Sequence, residues 1–169
     1  KIFMELEKKE KNKIKVFVSV GTHKKPFNRL IKAVDELKTE NFVFFAQTGF
    51  SDFKPKNIQF KAFLSEKEFK EKINEADIVL SHAGAGIIIT ALALNKKLVL
   101  MPRQKKFNEH SNDHQLELAL KLSLQGKAIM VLDEKDLSEA LIKALELKAQ
   151  LNSNKANLIE VIKNYIKVI

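Results

Sequence analysis

The chain has 169 residues, enough for one domain with a buried core, and its 45% hydrophobic and 30% charged residues are an ordinary globular balance. It has no cysteine, which excludes a disulfide framework and a thiolate metal site, and no apolar run approaches the roughly 20 residues of a membrane helix. The net charge of +9 predicts an anionic partner. Only Arg29 and Arg103 are arginine, tryptophan is absent and tyrosine occurs once, which points away from nucleic acid and towards a nucleotide, a lipid diphosphate or an acidic membrane face.

Residues 1–13 alternate charged and apolar side chains and read as a charged arm or linker, too charged for a signal peptide. The first residue is Lys1 rather than methionine, as expected of a piece or second half of something longer. Ile14 to Val20 is a β-branched run suited to a buried strand. Gly21-Thr22-His23 follows as a turn, and Pro26 opens a helix to about Lys38 whose apolar residues fall on one face. Asn41 to Gln47 and Ile58 to Phe63 read as strands two and three, separated by a loop containing Pro55. Ser65 and Glu68 spell a capping box for a helix through about Glu75.

The stretch from Ala76 to Gln115 organises the rest. Ile78 to Leu80 is a short strand suited to burial on both faces, and it runs through Ser81-His82-Ala83-Gly84-Ala85-Gly86 into an apolar helix to Leu94. Leu98 to Met101 is a further strand closed by Pro102, and a helix is expected from about Ser111 to Leu124. Ala128 to Leu132 is the sixth strand. Helices are expected from Asp136 to about Ala149 and from Ser153 to Ile169, the last with an apolar face that suits the core or docking of a partner domain. Six strands alternating with helices predict an α/β, Rossmann-like parallel sheet covered on both faces, occupying residues 14–169.

In such a sheet ligands bind beyond the carboxyl ends of the strands. Three stretches lie there: Gly21-Thr22-His23, Ser81 to Gly86, and the loop from Pro102 to Gln115. Neither glycine corner spells the Walker loop or G-x-G-x-x-G, so a nucleotide held by two short glycine corners, rather than by a single long loop, is expected. His23 and His82 each follow a strand, where an imidazole can donate to a phosphate oxygen. His110 and His114 are four apart, but H-S-N-D-H lacks the glutamate of H-E-x-x-H, and no metal is expected. Asp113, His114 and Gln115 at a helix start suit sugar hydroxyls. No catalytic triad or carboxylate pair stands out, so a binding corner is clearer than a catalytic base, and His23 is the one weak catalytic candidate.

Three motifs in order, V-S-V-G-T-H-K-K-P-F-N-R-L from Val18, S-H-A-G-A-G from Ser81 and P-R-Q-K-K-F-N-E-H-S-N-D-H-Q-L-E from Pro102, resemble the C-terminal, donor-binding domain of family 28 glycosyltransferases of the GT-B fold. The likeness spans about Lys15 to Ala149. It is nearest to short bacterial exopolysaccharide subunits of the PssE type, and similar to the soluble subunit of the eukaryotic two-component enzyme that extends dolichol-linked N-acetylglucosamine.

The resemblance implies an inverting transferase that takes a UDP-sugar, with no metal or other cofactor. Gly21, Thr22 and His23 would line the diphosphate, with His82 and Gly84, Ala85 and Gly86 at the phosphate-facing helix start. Phe63 and Leu64 would meet the uracil, and His114 and Gln115 the donor sugar. Ser81, Arg103 and Asp113 complete the expected donor site. Family mechanism has an acceptor hydroxyl displace UDP, with a lipid-diphosphate-linked or polysaccharide acceptor presented by a fused N-terminal domain or membrane-anchored partner at the cytoplasmic face. The pattern departs at one point: Ile87 stands where the family has threonine, and Thr90 where it has a glutamate for the ribose. Thr90 can make one bond there, not a charged bidentate pair. Alternatives in other classes are a non-catalytic module of the same fold and a UDP-sugar epimerase.

Overall fold

The computed structural model describes residues 13–148, Glu160 and residues 162–164. Strands β1 (Ile14–Ser19), β2 (Phe42–Gln47), β3 (Gln59–Lys61), β4 (Ile78–Ser81), β5 (Lys97–Leu100) and β6 (Ile129–Met130) form one parallel sheet in the order β3-β2-β1-β4-β5-β6. Its helices are α1 (Asn28–Asp35), α2 (Glu66–Glu75), α3 (Ala85–Ala93), α4 (His114–Leu124) and α5 (Leu137–Leu145). The strand order reverses direction between β1 and β4, which opens a crevice at their carboxyl ends.

Alternation along the strands feeds two cores. Val16, Val18 and Val20 face α1 and α5, joined by Leu80, Val99 and Met101. Phe17 points the other way, with Val79, Leu98 and Leu100, towards Ile73 of α2, Ile88 of α3 and Leu122 of α4. A strand buried on both faces needs no polar alternation, which is why β1, β4 and β5 read as continuous apolar runs. Ile162, near the end of the chain, is also buried in this second core.

Element ends differ from expectation where side chains capture backbone groups. The helix expected from Pro26 starts at Asn28, because buried Phe27 sits outside it in non-helical backbone. It stops at Asp35 rather than Lys38. The buried Asp35 carboxylate accepts the amides of Lys56 and Asn57, and Asn57 Nδ2 donates to the Asp35 carbonyl. That double tie fixes the β2–β3 loop against the end of α1. The Ser65–Glu68 capping box forms as read, with Glu68 N donating to Ser65 Oγ and Ser65 N to Glu68 Oε2.

The helix expected from Ser111 begins at His114, since Asn112 Oδ1 accepts the His114 amide and Asp113 is drawn back to the Lys105 amide. The third strand is shorter than expected, which leaves Phe63 and Leu64 in the loop beyond it. A short 3₁₀ turn over Glu134–Asp136 precedes α5, capped by Asp133. Residues 1–12 and nearly all of the expected helix 153–169 lie outside the described residues, although Glu160 and residues 162–164 are helical.

Candidate functional site

β1 and β4 end alike. Ser19 and Ser81 pair across the sheet, and each hydroxyl accepts the amide two residues on, from Gly21 and Ala83. Such serine turns bend the chain out of the sheet at the same level on both strands. Ala83 is left in the left-handed region at φ +65, a sparsely populated backbone for an alanine and of a kind that collects at ligand sites. Ser81 is wholly buried in this turn, where its hydroxyl shapes the corner.

His82 is held between the two corners. Its Nδ1 lies 3.2 Å from the Ser19 carbonyl. A carbonyl only accepts, so Nδ1 carries the proton and Nε2 the lone pair. Gly21, at φ +73, and Gly84 clasp the ring: a Cβ on either would come within 2.7 and 2.3 Å of the imidazole. Burial pulls the His82 pKa down to about 4, opposed by the Ser19 bond and reinforced by Arg103, His110 and His23. The ring is therefore neutral at pH 7. In this tautomer Nε2 is an acceptor, so donation from His82 to a phosphate oxygen would require a proton on Nε2.

A buried neutral imidazole makes the fold sensitive to acid. Unfolded His82 takes up a proton near 6.5, and the folded ring only near 4. Its contribution is fully present above pH 6.5 and is lost as pH falls through that window. Folding stability is expected to be about 2 kcal/mol lower near pH 5 than near pH 7.5. Urea unfolding at the two pH values, in wild type and His82→Gln, checks this; the variant should lose most of the difference.

α3 starts at the second corner. No side chain caps it, and Gly84 is its N-cap in extended backbone. The first-turn amides of Ala85, Gly86 and Ile87 therefore face the crevice with the positive end of the helix dipole behind them. Gly86 is exposed, and a Cβ there would meet nothing within 4 Å. Ile87 packs into the second core, so its departure from the family threonine concerns packing rather than the crevice. Thr90 donates its hydroxyl to the Gly86 carbonyl at 2.9 Å. Its oxygen retains only acceptor capacity towards anything outside.

The loop after β5 is built around Arg103, which is wholly buried. One terminal nitrogen donates to the carbonyls of Lys25, Pro26 and Glu109, the other to Val20, and the guanidinium stacks over Phe27 at 4.9 Å. Burial pulls its pKa down to about 10, opposed by Glu109, so it stays charged. Arg103 thus clamps the loops together through its terminal nitrogens, which are committed to backbone carbonyls. Glu109 in turn holds Arg29 by a two-point ion pair of 2.8 and 2.9 Å and accepts the Gln104 amide.

The remaining expected contacts are partly committed. Gln115 Oε1 accepts the Arg103 amide at 3.3 Å, leaving its amide nitrogen for a ligand, and Asp113 Oδ1 accepts from Lys105. His114 is half-buried, with Nδ1 3.7 Å from Glu117. Thr22 and His23 are exposed at the first corner. Phe63 is 42% exposed and meets Phe50, itself 48% exposed, edge to face at 5.0 Å beyond β2 and β3. Leu64 is partly buried and packs its side chain against the second core.

His110 is the residue whose place the sequence pattern does not give. Its spacing pairs it with His114 on one helix, but the helix begins only at His114, and the His110 ring instead lies 5.0 Å from that of His23. The Asn112-Asp113 step ahead of His114 is the signal that separates them. Among the described residues no three His, Asp or Glu side chains are placed to hold a metal ion. A cavity of about 160 Å³ lies elsewhere, lined by β1, β2, β3 and α2 residues including Phe17, Phe45 and Lys72.

A strand order that reverses between β1 and β4, with two glycine corners and an uncapped helix start at that switch point, defines a Rossmann-like architecture. The fold is that of one half of GT-B glycosyltransferases. The glycosyltransferase of kitacinnamycin superposes over 91% of this chain and 40% of its own at a TM-score of 0.66 and 16% identity. A solution structure of ALG13 is covered over 98% of its length and 90% of this chain, with a TM-score of 0.58 and 20% identity.

Residues 15–167 match the glycosyltransferase family 28 C-terminal domain, and the chain belongs to that family. The human UDP-N-acetylglucosamine transferase subunit ALG13 is 36% identical over 123 residues, 66% of this chain and 10% of that protein. The Clostridium botulinum UDP-N-acetylglucosamine–N-acetylmuramyl-(pentapeptide) pyrophosphoryl-undecaprenol N-acetylglucosamine transferase is 35% identical over 103 residues, 60% of this chain and 26% of that protein. The matched stretch is thus a small part of either relative.

Proposed function

We propose that this chain is the UDP-sugar-binding domain or subunit of an inverting glycosyltransferase, which passes a hexose-type sugar to a lipid-diphosphate-linked or polysaccharide acceptor. The observation that carries this reading is the uncapped start of α3 facing the β1/β4 switch point, with Gly21 and Gly84 closing on His82. The human and clostridial relatives, both N-acetylglucosamine transferases, support the donor class. An acceptor hydroxyl attacks the anomeric carbon, the bond to the β-phosphate oxygen breaks, and the electron pair leaves with UDP. The first-turn amides of α3 stabilise that developing charge.

The acceptor site and the base that takes the hydroxyl proton fall to a fused N-terminal domain or a membrane-anchored partner. That placement puts the chain at the cytoplasmic face of a membrane through its partner. No metal or other cofactor enters this scheme, since the helix dipole and amides supply the positive potential. Among the described residues no helix is long and apolar enough to cross a membrane.

Gly86→Ala separates a binding role from a folding role. The protein leaves open space where the new methyl would stand, so stability should stay within about 0.5 kcal/mol of wild type. UDP affinity should fall about tenfold or more if the diphosphate approaches the backbone there. NMR shift titration with UDP, read at the amides of Gly21 and Ala85–Ile87, tests the reading. Shifts confined to other surfaces, or unchanged affinity in the variant, would count against it.

A further inference from the structure

His23 and His110 come from loops after different strands, yet their rings lie 5.0 Å apart and are tilted by only 33°. Each ring is pinned the same way. The Lys25 amide donates to His23 Nδ1 at 3.2 Å, and the Asn112 amide to His110 Nδ1 at 3.4 Å. An Nδ1 that accepts has no proton, so the proton each ring can donate sits on Nε2. This is the opposite tautomer to that of His82, whose Nδ1 donates to Ser19. Neither Nε2 has a protein partner among the described residues, so both N–H groups are available at the rim of the crevice.

The surroundings favour an anion. Burial is the larger cause of the lowered proton affinity of His23 and His82, but the charge of nearby Arg103 lowers both as well, and it is this positive charge that suits an anion. Arg103 Nε is itself buried without a partner. Lys25 bridges the same two loops through its contact with Asn108 Oδ1 at 3.0 Å, and Arg103 ties their backbones together at Lys25, Pro26 and Glu109. The two imidazoles are therefore held by a shared frame. Two rings with centroids 5.0 Å apart, each with one unpartnered Nε2, are close enough together for one tetrahedral anion to span both.

We infer that His23 and His110 form a two-donor site for the outer phosphate of a diphosphate group, with His110 a binding residue that the sequence motifs do not assign. A nucleotide and a lipid both carry such a phosphate, and the chemistry of recognition is the same. Only the nucleotide arm rests on the proposed donor reading.

The test compares wild type, His110→Ala and His110→Gln by NMR shift titration with UDP, uridine and geranyl diphosphate. Loss of one donor to a charged oxygen should weaken the diphosphate ligand about tenfold and leave uridine unchanged. The His110→Gln variant keeps an amide donor and should recover part of the loss. A fall for UDP assigns the site to the nucleotide, and a fall for geranyl diphosphate alone assigns it to a lipid. Unchanged affinity for both, or an equal fall for uridine, would overturn the inference. Wild type that fails to bind UDP would instead overturn the donor reading, with the geranyl diphosphate arm still deciding the histidine pair. Nitrogen-resolved imidazole spectra should show protonated Nε2 on both rings; protonated Nδ1 on either, with Nε2 bare, would also overturn it.

Discussion

Replacing Arg103 with methionine is expected to destabilise the fold by about 4 kcal/mol. Methionine approximates the length of the stem but offers no donors. Four carbonyls, of Val20, Lys25, Pro26 and Glu109, would lose their guanidinium bonds around a side chain that water does not reach. Each buried acceptor left unmatched costs about 1–3 kcal/mol before relaxation. Arg103→Lys should recover little, because a single ammonium cannot address carbonyls spread across a planar fork. Urea unfolding followed by circular dichroism measures the loss. A change below about 1 kcal/mol would show that the loop after β5 holds itself without the clamp.

Gly84→Ala should be damaging for a different reason. Its backbone, at φ −69, suits alanine, so conformational strain plays no part. The obstacle is the imidazole: the new Cβ would stand 2.3 Å from His82 Nε2, and the ring is almost wholly buried, against Gly21 on its other side. The ring must leave its place, breaking the Ser19 bond, at a cost of about 1–3 kcal/mol and with disturbance of the uncapped start of α3. His82→Ala in the same chain removes the obstacle. The double variant should therefore be more stable than Gly84→Ala alone, a coupling that a double-mutant cycle reads directly. Additive effects would mean that glycine is needed at position 84 for some reason other than the ring.

The layered fold is legible because burial on both faces leaves a plain signature. Val16 and Val18 serve one core and Phe17 the other, so β1 could only be an interior strand of a parallel sheet. The capping box at Ser65 is equally local and equally readable. What the residues do not disclose depends on partners distant in the chain. Arginine after a strand end suggests a ligand contact, but the carbonyls that Arg103 binds lie 6 to 83 positions away. The tautomer of His82 is set by a carbonyl on another strand, and Asp35 ends α1 through amides 21 and 22 positions later.

The same limit explains the site. Both glycine corners and the helix start follow from pattern, since each belongs to one continuous segment. The approach of His110 to His23 does not, because it depends on how the loop after β5 folds back over the turn after β1. Thr90, the departure from the family glutamate, bonds its own helix at Gly86. In the proposed UDP-sugar reading, ribose contacts would come from groups other than a carboxylate at that position.

Calorimetric titration of UDP into the full chain tests the central claim most directly. Binding with a dissociation constant below about 1 mM, weakened at least tenfold by Gly86→Ala and Gly84→Ala, is the expected result. No heat of binding at millimolar UDP, or affinity indifferent to both glycines, would contradict it.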